Sequence, residues 1–357
     1  MKQMVQYKKI NTSFLFCALL LCSVAVAQKK NYQVANIGFY NLENFFDTLH
    51  DADKNDYEFL PTGKKGYTPE VYARKLHNMA SVLRDMGKSY SPDGIAVLGV
   101  AEIENENVLR DLVADPQVAE RHLQYVHYES PDARGIDVAL LYNPTYFSVE
   151  WSAPLTVTLP AGSHGGAAAT RDVLYVKGKL QSETFHFFVN HWPSRLGGQA
   201  ASEGDRKIAA SVVRQAIDSI FKEEPNANIV VMGDLNDNPD NNSVVQTLRS
   251  NGEPESSDPM VLYSPFLSLF KKGIGTLAYQ DAWALFDQIM VSRNLLKHGN
   301  NAGAFFFYRP SIFKRDDMIQ LSGRYKGYPK RTYDFDRFAD GFSDHFPTFI
   351  TLLKEVQ

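Results

Sequence analysis

Short apolar runs rich in Val, Ile, Phe and Tyr recur through the whole chain, at residues 34–40, 95–100, 137–142, 173–180, 184–190, 228–232, 286–291 and 348–352. Each stops at polar, Gly or Pro positions, the pattern of strands rather than of helices. So many strands bury their apolar sides only by packing sheet against sheet. Two stretches carry apolar residues at helical spacing instead. One covers 69–86, with Tyr72, Leu76, Met79, Leu83 and Met86 on a stripe; the other covers 203–222, with Ile208, Val212, Ala216 and Ile220. Pro69 and Gly87 bound the first and Pro225 closes the second. Both stripes read as core faces, not sites. Polar, Gly-rich or Pro-rich loops are expected at 47–66, 164–170 and 251–264. None is long enough to link independent domains, and no internal repeat is visible. The expectation is one large domain of face-to-face sheets with helices outside.

The first residues have a different character. Lys2, Lys8 and Lys9 precede an apolar run over 14–22 and an exit at Ala25-Val26-Ala27, the pattern of a secretory signal. The run is shorter than the roughly 20 apolar residues of a bilayer-spanning helix. The expected division is a signal over 1–27 and a domain over 28–357, exported to the periplasm or outside the cell, with no transmembrane segment in the mature chain. Both cysteines, Cys17 and Cys22, fall in the signal, so neither a disulfide framework nor a Cys-based zinc site is expected. Losing 1–27 removes three lysines and no acid, moving the formal charge from −4 to −7. That balance argues against a protein that coats nucleic acid by charge alone.

Several strand runs end in residues capable of chemistry. These are Asn41-Leu42-Glu43-Asn44, Glu102-Ile103-Glu104-Asn105, Asn190-His191-Trp192-Pro193-Ser194-Arg195, Gly233-Asp234-Leu235-Asn236-Asp237 and Ser343-Asp344-His345-Phe346-Pro347. Taken singly, each has an ordinary structural reading as a turn former, a solvated loop acid or a strand cap. Active-site groups collect at strand ends on a rigid scaffold, so five clusters in one chain point to a common site.

In this order the clusters resemble the endonuclease/exonuclease/phosphatase superfamily, which includes deoxyribonuclease I, abasic-site endonucleases, inositol polyphosphate 5-phosphatases and bacterial sphingomyelinases. Gly233-Asp234-Leu235-Asn236 and Ser343-Asp344-His345-Phe346-Pro347 carry most of the likeness. Gly275-Thr276-Leu277-Ala278-Tyr279, Trp283 and Phe286-Asp287 resemble the family segment whose Asp supports the last histidine. Thr170-Arg171 resembles a strand start whose Arg faces the phosphate. The stretch 190–198 looks closest to exported bacterial nuclease-like members. The resemblance spans essentially all of the mature chain. It implies a four-layer α/β/β/α sandwich of two mainly antiparallel sheets, and direct attack by water.

The residue types suit that chemistry. Phosphodiester cleavage needs charge neutralisation, an in-line water and help for the leaving oxygen. Glu102 is a hard ligand for Mg²⁺ (or Mn²⁺), Asn41 offers a neutral amide oxygen beside it, and Asp344 is a second carboxylate. Asp234 is the candidate general base, with Asn236 donating to a phosphoryl oxygen. His345 would face the phosphate with Asp287 on its other nitrogen, raising its pKa, and His191 would be a second proton donor or a phosphate ligand. Which of Asp234 and His345 deprotonates water stays open at this stage. Ser343 reads as a loop-shaping residue. Arg134, Arg171 and Arg195 are candidate phosphate ligands. The basic, Tyr-rich segment 312–337 is a candidate for gripping a phosphate backbone, diluted by its own aspartates. The leading expectation is an exported nuclease acting on nucleic acid. The alternatives are a phosphatase or phosphodiesterase for a small phosphorylated ligand or phospholipid head group, and a non-catalytic binding protein on the same scaffold. No stable protein partner is implied. Phe305-Phe306-Phe307-Tyr308 is expected as a buried strand and is the one segment that would serve a lipid substrate.

Overall fold

A computed structural model of the chain describes residues 31–163, 169–296 and 303–356. The expected signal over 1–27 and most of the 164–170 loop lie outside the described residues. Along the chain run β1 (Asn31–Phe45), β2 (Val97–Ile103), β3 (Gln124–His127), β4 (Asp137–Tyr142), β5 (Phe147–Leu155), β6 (Val173–Leu180), β7 (Glu183–His191), β8 (Asn228–Asp234), β9 (Ser250–Asn251) and β10 (Leu262–Tyr263). A hairpin of β11 (Leu277–Tyr279) and β12 (Ala282–Ala284) follows. Then come β13 (Asp287–Val291), β14 (Phe305–Ile312), a small hairpin of β15 (Tyr333–Asp334) and β16 (Arg337–Phe338), and β17 (Thr348–Val356).

The strands form a six-stranded sheet, β14-β17-β1-β2-β4-β3, and a seven-stranded sheet, β5-β6-β7-β8-β13-β10-β9. Most pairings are antiparallel, but each sheet holds a central parallel pair, β1 with β2 and β7 with β8, and the short β9 and β10 at one edge are also parallel. Residues alternate between the two faces of every central strand. Val97 and Ala101 of β2, Phe185, Phe187 and Val189 of β7, and Val230 and Met232 of β8 meet between the sheets. Leu98 and Val100 face outward onto α1 (Pro69–Asp85) and α2 (Glu106–Ala114). Phe188, Ile229 and Val231 face outward onto α3 (Gln199–Glu223). Burial on both faces is why these runs read as continuous apolar stretches. The result is the expected helix–sheet–sheet–helix layering, with a short α4 (Phe266–Phe270) packed at its margin.

The first helix matches the reading from spacing, and Thr68 caps it by accepting from Val71 N. The second begins at Gln199, four residues before the expected start at 203, because its first turns lie ahead of the apolar stripe that begins at Ile208. The sequence reading passed over α2, which Asn105 caps by accepting from Asn107 N and Val108 N. It also passed over β5, whose alternation is broken by exposed residues. The Phe305–Tyr308 segment is a strand but lies at a sheet edge, with Phe305 buried and Tyr308 exposed, so it is a correction to the expected buried strand.

Two glycines are dictated by close approach. A Cβ on Gly99 would lie 2.7 Å from Met232 Sδ across the intersheet gap. A Cβ on Gly233 would lie 2.4 Å from the Asn190 carbonyl oxygen, a backbone atom that cannot swing away. Gly233→Ala should therefore destabilise the protein by about 1–3 kcal/mol, the usual scale of overpacking. Chemical denaturation measures this, and an unchanged midpoint would contradict the close packing of β7 on β8.

Candidate active site

The two central parallel pairs, β1 with β2 and β7 with β8, deliver their C-terminal ends to one place. In β1 and β2, Asn41 is paired with Ala101, so Asn41 and Glu102 emerge side by side. Both strands are irregular here: the β1–β2 register shifts between Asn41 and Phe45, and the β2–β4 register between Ala101 and Ile103. Glu102 takes φ 60°, and Glu43 and Asn44 take 49° and 48°. Bulges of this kind re-aim side chains beside active sites, and left-handed non-glycine residues there hold strain. In the other sheet His191 and Asp234 are direct register partners, and Asp287 at the start of β13 pairs with Asp234. His345 comes from the loop before β17.

These ends interlock. Asn41 Nδ2 donates to Asp234 Oδ2 at 3.0 Å and to Glu102 Oε1 at 3.3 Å. Asn44 N donates to Glu102 Oε2 at 2.8 Å. His191 Nε2 lies 3.7 Å from Glu102 Oε1 and 3.9 Å from Asp234 Oδ2. His345 Nδ1 is 2.7 Å from Asp287 Oδ2, which also accepts from Thr276 Oγ1 at 2.5 Å, and its Nε2 lies 3.9 Å from Asp234 Oδ2. Ser343 Oγ donates to Asn41 O and accepts from His345 N, tying this loop to β1. Burial pulls the His345 pKa down, but Asp287 through charge and hydrogen bond, then Asp234 and Asp344, together raise it well above the ordinary 6.5. Burial pushes Asp234 up to about 6, with His345 opposing.

Buried acids and imidazoles thus meet where the two sheets' strand ends and the loop before β17 converge, and the sequence matches the family described as Endonuclease/Exonuclease/phosphatase over residues 36–354. The chain belongs to that family. Its fold is shared by solved structures of low sequence identity. An endonuclease/exonuclease/phosphatase family protein from Bacteroides thetaiotaomicron is 15% identical at TM-score 0.54, the match covering 92% of this chain and 100% of that one. The mannosyl-6-phosphatase of Bacteroides thetaiotaomicron VPI-5482 is 16% identical at 0.53, covering 89% and 99%. D. rerio TDP2, in complex with a single-strand DNA product, is 14% identical at 0.51, covering 89% and 98%. A search of curated proteins finds no match.

Members of the endonuclease/exonuclease/phosphatase family are phosphoester hydrolases that generally use a divalent metal, and this site has buried acidic and histidine groups able to bind one. Glu102, with two hard oxygens at the open end of β2, fits such an ion. Asn41 sits differently from the sequence expectation: its amide oxygen accepts from Glu43 N at 2.9 Å and its Nδ2 faces the carboxylates, so it orients them. Asp344 Oδ2 is 2.8 Å from Arg331 Nη2, and its Oδ1 is 3.8 Å from His345 Nε2. Asp234, Asp287 and His345 also converge within 4.8 Å, with His345 Nδ1 hydrogen-bonded to Asp287 and Nε2 turned towards Asp234. Asn236 takes φ 49°, its N–H donates to Asp234 Oδ1 and its Nδ2 to Trp192 O.

The three candidate arginines separate. Arg171 is buried, donating to Asp132 Oδ2 at 3.1 Å and Trp192 O at 2.7 Å. All three nitrogens of Arg195 bond protein acceptors, on Asn236, Gln199, Asp237 and Asn241, and its plane lies over Phe286. Arg134 is the exposed one. Its loop is pinned by Asp132, by Lys54 on Ser130 O and Asp132 O, and by Asp137, which accepts from Ser130 N and contacts His127. Within 312–337, Arg315 is bound to Asp85 and Asp317, and Lys314 lies over Trp283 and Phe346. Much of that segment's charge thus serves the fold.

The sequence reading quoted Glu43 without a role and treated α1 as core only. Both belong to the site's surroundings. Lys75 of α1 is buried and donates to Glu43 O and Thr332 Oγ1. Burial, then Asp344, push Glu43 up to about 7, and burial pulls Lys75 down to about 8. A lone lysine within an apolar stripe was the available signal. Glu104, by contrast, turns inward to accept from Asp47 N.

Arg171 and Asp132 form a buried ion pair, and removing one partner strands the other charge. Arg171→Met should therefore cost about 3–5 kcal/mol of stability. A variant with wild-type denaturation but weakened phosphate binding would instead make Arg171 a ligand rather than a brace.

Proposed function

We propose that the protein is an exported phosphodiesterase acting on nucleic acid by direct attack of water, with residues 28–357 as its catalytic domain after loss of a signal over 1–27. The reading rests above all on His345, held by Asp287 and facing Asp234 beside Glu102. A Mg²⁺ or Mn²⁺ ion held through Glu102, with Asp344 at its flank, would neutralise phosphate charge. Asp234, with a pKa near neutral, accepts the proton of the attacking water. His345 remains protonated and donates through Nε2 to a phosphoryl oxygen, while Asp287 holds Nδ1. Asn236 offers its second amide N–H to the same charge, His191 is a further donor, and exposed Arg134 meets the phosphate. Arg171 and Arg195 support the loops that carry these groups.

Exposed rings support a nucleic-acid substrate. Tyr279 at the β11–β12 hairpin is 73% exposed, and Tyr325 and Phe335 are exposed in the basic segment, where bases would stack. A second reading, a phosphatase of small phosphorylated ligands, is favoured by the likeness in fold to a mannosyl-6-phosphatase.

The purified protein, offered plasmid DNA, RNA, phosphomonoesters and sphingomyelin with Mg²⁺ and with EDTA, should cleave nucleic acid only with the metal. Cleavage of sugar phosphates alone would favour the second reading, and no cleavage of any substrate would favour a binding protein. Asp234→Asn and His345→Ala should each lower turnover by about 10²-fold or more. Because Asp234 works deprotonated and its pKa is raised, kcat/KM should climb as pH rises through about 6. It should fall again only above the raised pKa of His345. Asp287→Asn removes the main charge sustaining that pKa, so the alkaline limb should move to lower pH. A pH–rate profile with the limb unmoved would contradict the assigned roles.

A further inference from the structure

Asp344, placed above at the flank of the ion, belongs to a further group of charges whose other members, Glu43 and Arg331, the mechanism does not use. Glu43 stands two residues beyond Asn41, buried, with Oε2 accepting from Thr332 N at 2.7 Å and Oε1 accepting from Arg331 Nε at 3.1 Å. Asp344 Oδ2 accepts from Nη2 of the same arginine at 2.8 Å. One guanidinium thus bridges two carboxylates drawn from β1 and from the loop before β17. The arrangement is fixed from behind. Lys75 donates to Glu43 O and Thr332 Oγ1, and Thr332 Oγ1 donates to Phe342 O at 3.0 Å, so α1, the Arg331–Thr332 strap and the 342–345 loop hold one another.

Two carboxylates on either side of a site repel unless a cation stands between them. In two-metal phosphoryl-transfer sites a second divalent ion supplies that cation, about 3.5–4 Å from the first. Here a side chain does so, and an arginine stays charged at every working pH. Its side chain is 52% exposed, and Nη1 makes no hydrogen bond among the described residues, so donors remain for a phosphate oxygen.

We propose that Arg331 is the fixed second cation of this site. It neutralises Glu43 and Asp344, carboxylates that would otherwise be open to a second divalent ion, would leave one exchangeable ion to Glu102, and offers its remaining N–H groups to the substrate phosphate. The inference rests on the metal-dependent reading of the site.

The test counts bound Mn²⁺ on the purified protein by isothermal titration calorimetry, with electron paramagnetic resonance of free Mn²⁺ as a parallel count. Wild type should bind one ion, lost in Glu102→Gln. Arg331→Gln should bind two, because Glu43 and Asp344 are then unpaired, and Arg331→Lys should bind one. The double variant Arg331→Gln/Glu43→Gln should return to one ion. In Mg²⁺, Arg331→Gln should lower kcat/KM by about 10²-fold, the scale of removing one transition-state donor. Two ions in wild type, or one ion in both wild type and Arg331→Gln, would overturn the role of Arg331 alone. No Mn²⁺ bound to wild type would overturn the metal-dependent reading and this inference with it.

Discussion

Much of the site depends on one buried hydrogen bond between the sheets, from Asn41 Nδ2 to Asp234 Oδ2. Asn41 ends the regular pairing of one parallel pair and Asp234 ends the other, so the bond fixes how the two sheets meet. Its orientation is set on the opposite side of the amide, where Glu43 N–H requires an oxygen. Glu102 and His191 are register neighbours of these two residues and arrive with them. A polar group this deeply buried is costly unless satisfied, and the site satisfies it with the carboxylates of Asp234 and Glu102.

The charge of the site follows from that packing. Several carboxylates are buried here, and burial disfavours the charged form unless a cation or hydrogen-bond donor is near. Asp287 holds a charged imidazole, and Glu43 and Asp344 share Arg331. Burial raises the Asp234 pKa to about 6, with the charge of Asp287 acting the same way, while His345 and the hydrogen bonds from Asn236 and Asn41 oppose it. The acidity of the chain as a whole says little about affinity for phosphate, because the positive charges that matter are few and local.

The sheets, the two long helices and the five polar clusters were legible in the sequence, because a strand buried on both faces leaves an apolar run and its end is marked by the first polar residue. What was hidden lies in the irregular backbone. The runs appeared to stop at Tyr40 and Val100, whereas β1 and β2 continue through bulges that turn Glu43 and Glu102 to new directions. Apolar periodicity carries no signal for such a turn. The difference between Arg171, Arg195 and Arg134 was equally invisible, since only their tertiary partners separate braces from an exposed cation. Lys75 and Arg331 become meaningful only once α1 and the 331–345 segment are seen to meet at Glu43.

The claim that this cluster of strand ends is a phosphate site built around a charged His345 is tested most directly by side-chain NMR of the histidines. The ring nitrogens would be followed through a pH titration and on addition of inorganic phosphate with Mg²⁺. His345 should keep both ring protons well above pH 6.5, and phosphate should shift His345 and His191 while leaving His127 and His186 unmoved. A His345 that titrates at or below the ordinary value, or a phosphate response confined to other histidines, would contradict the account.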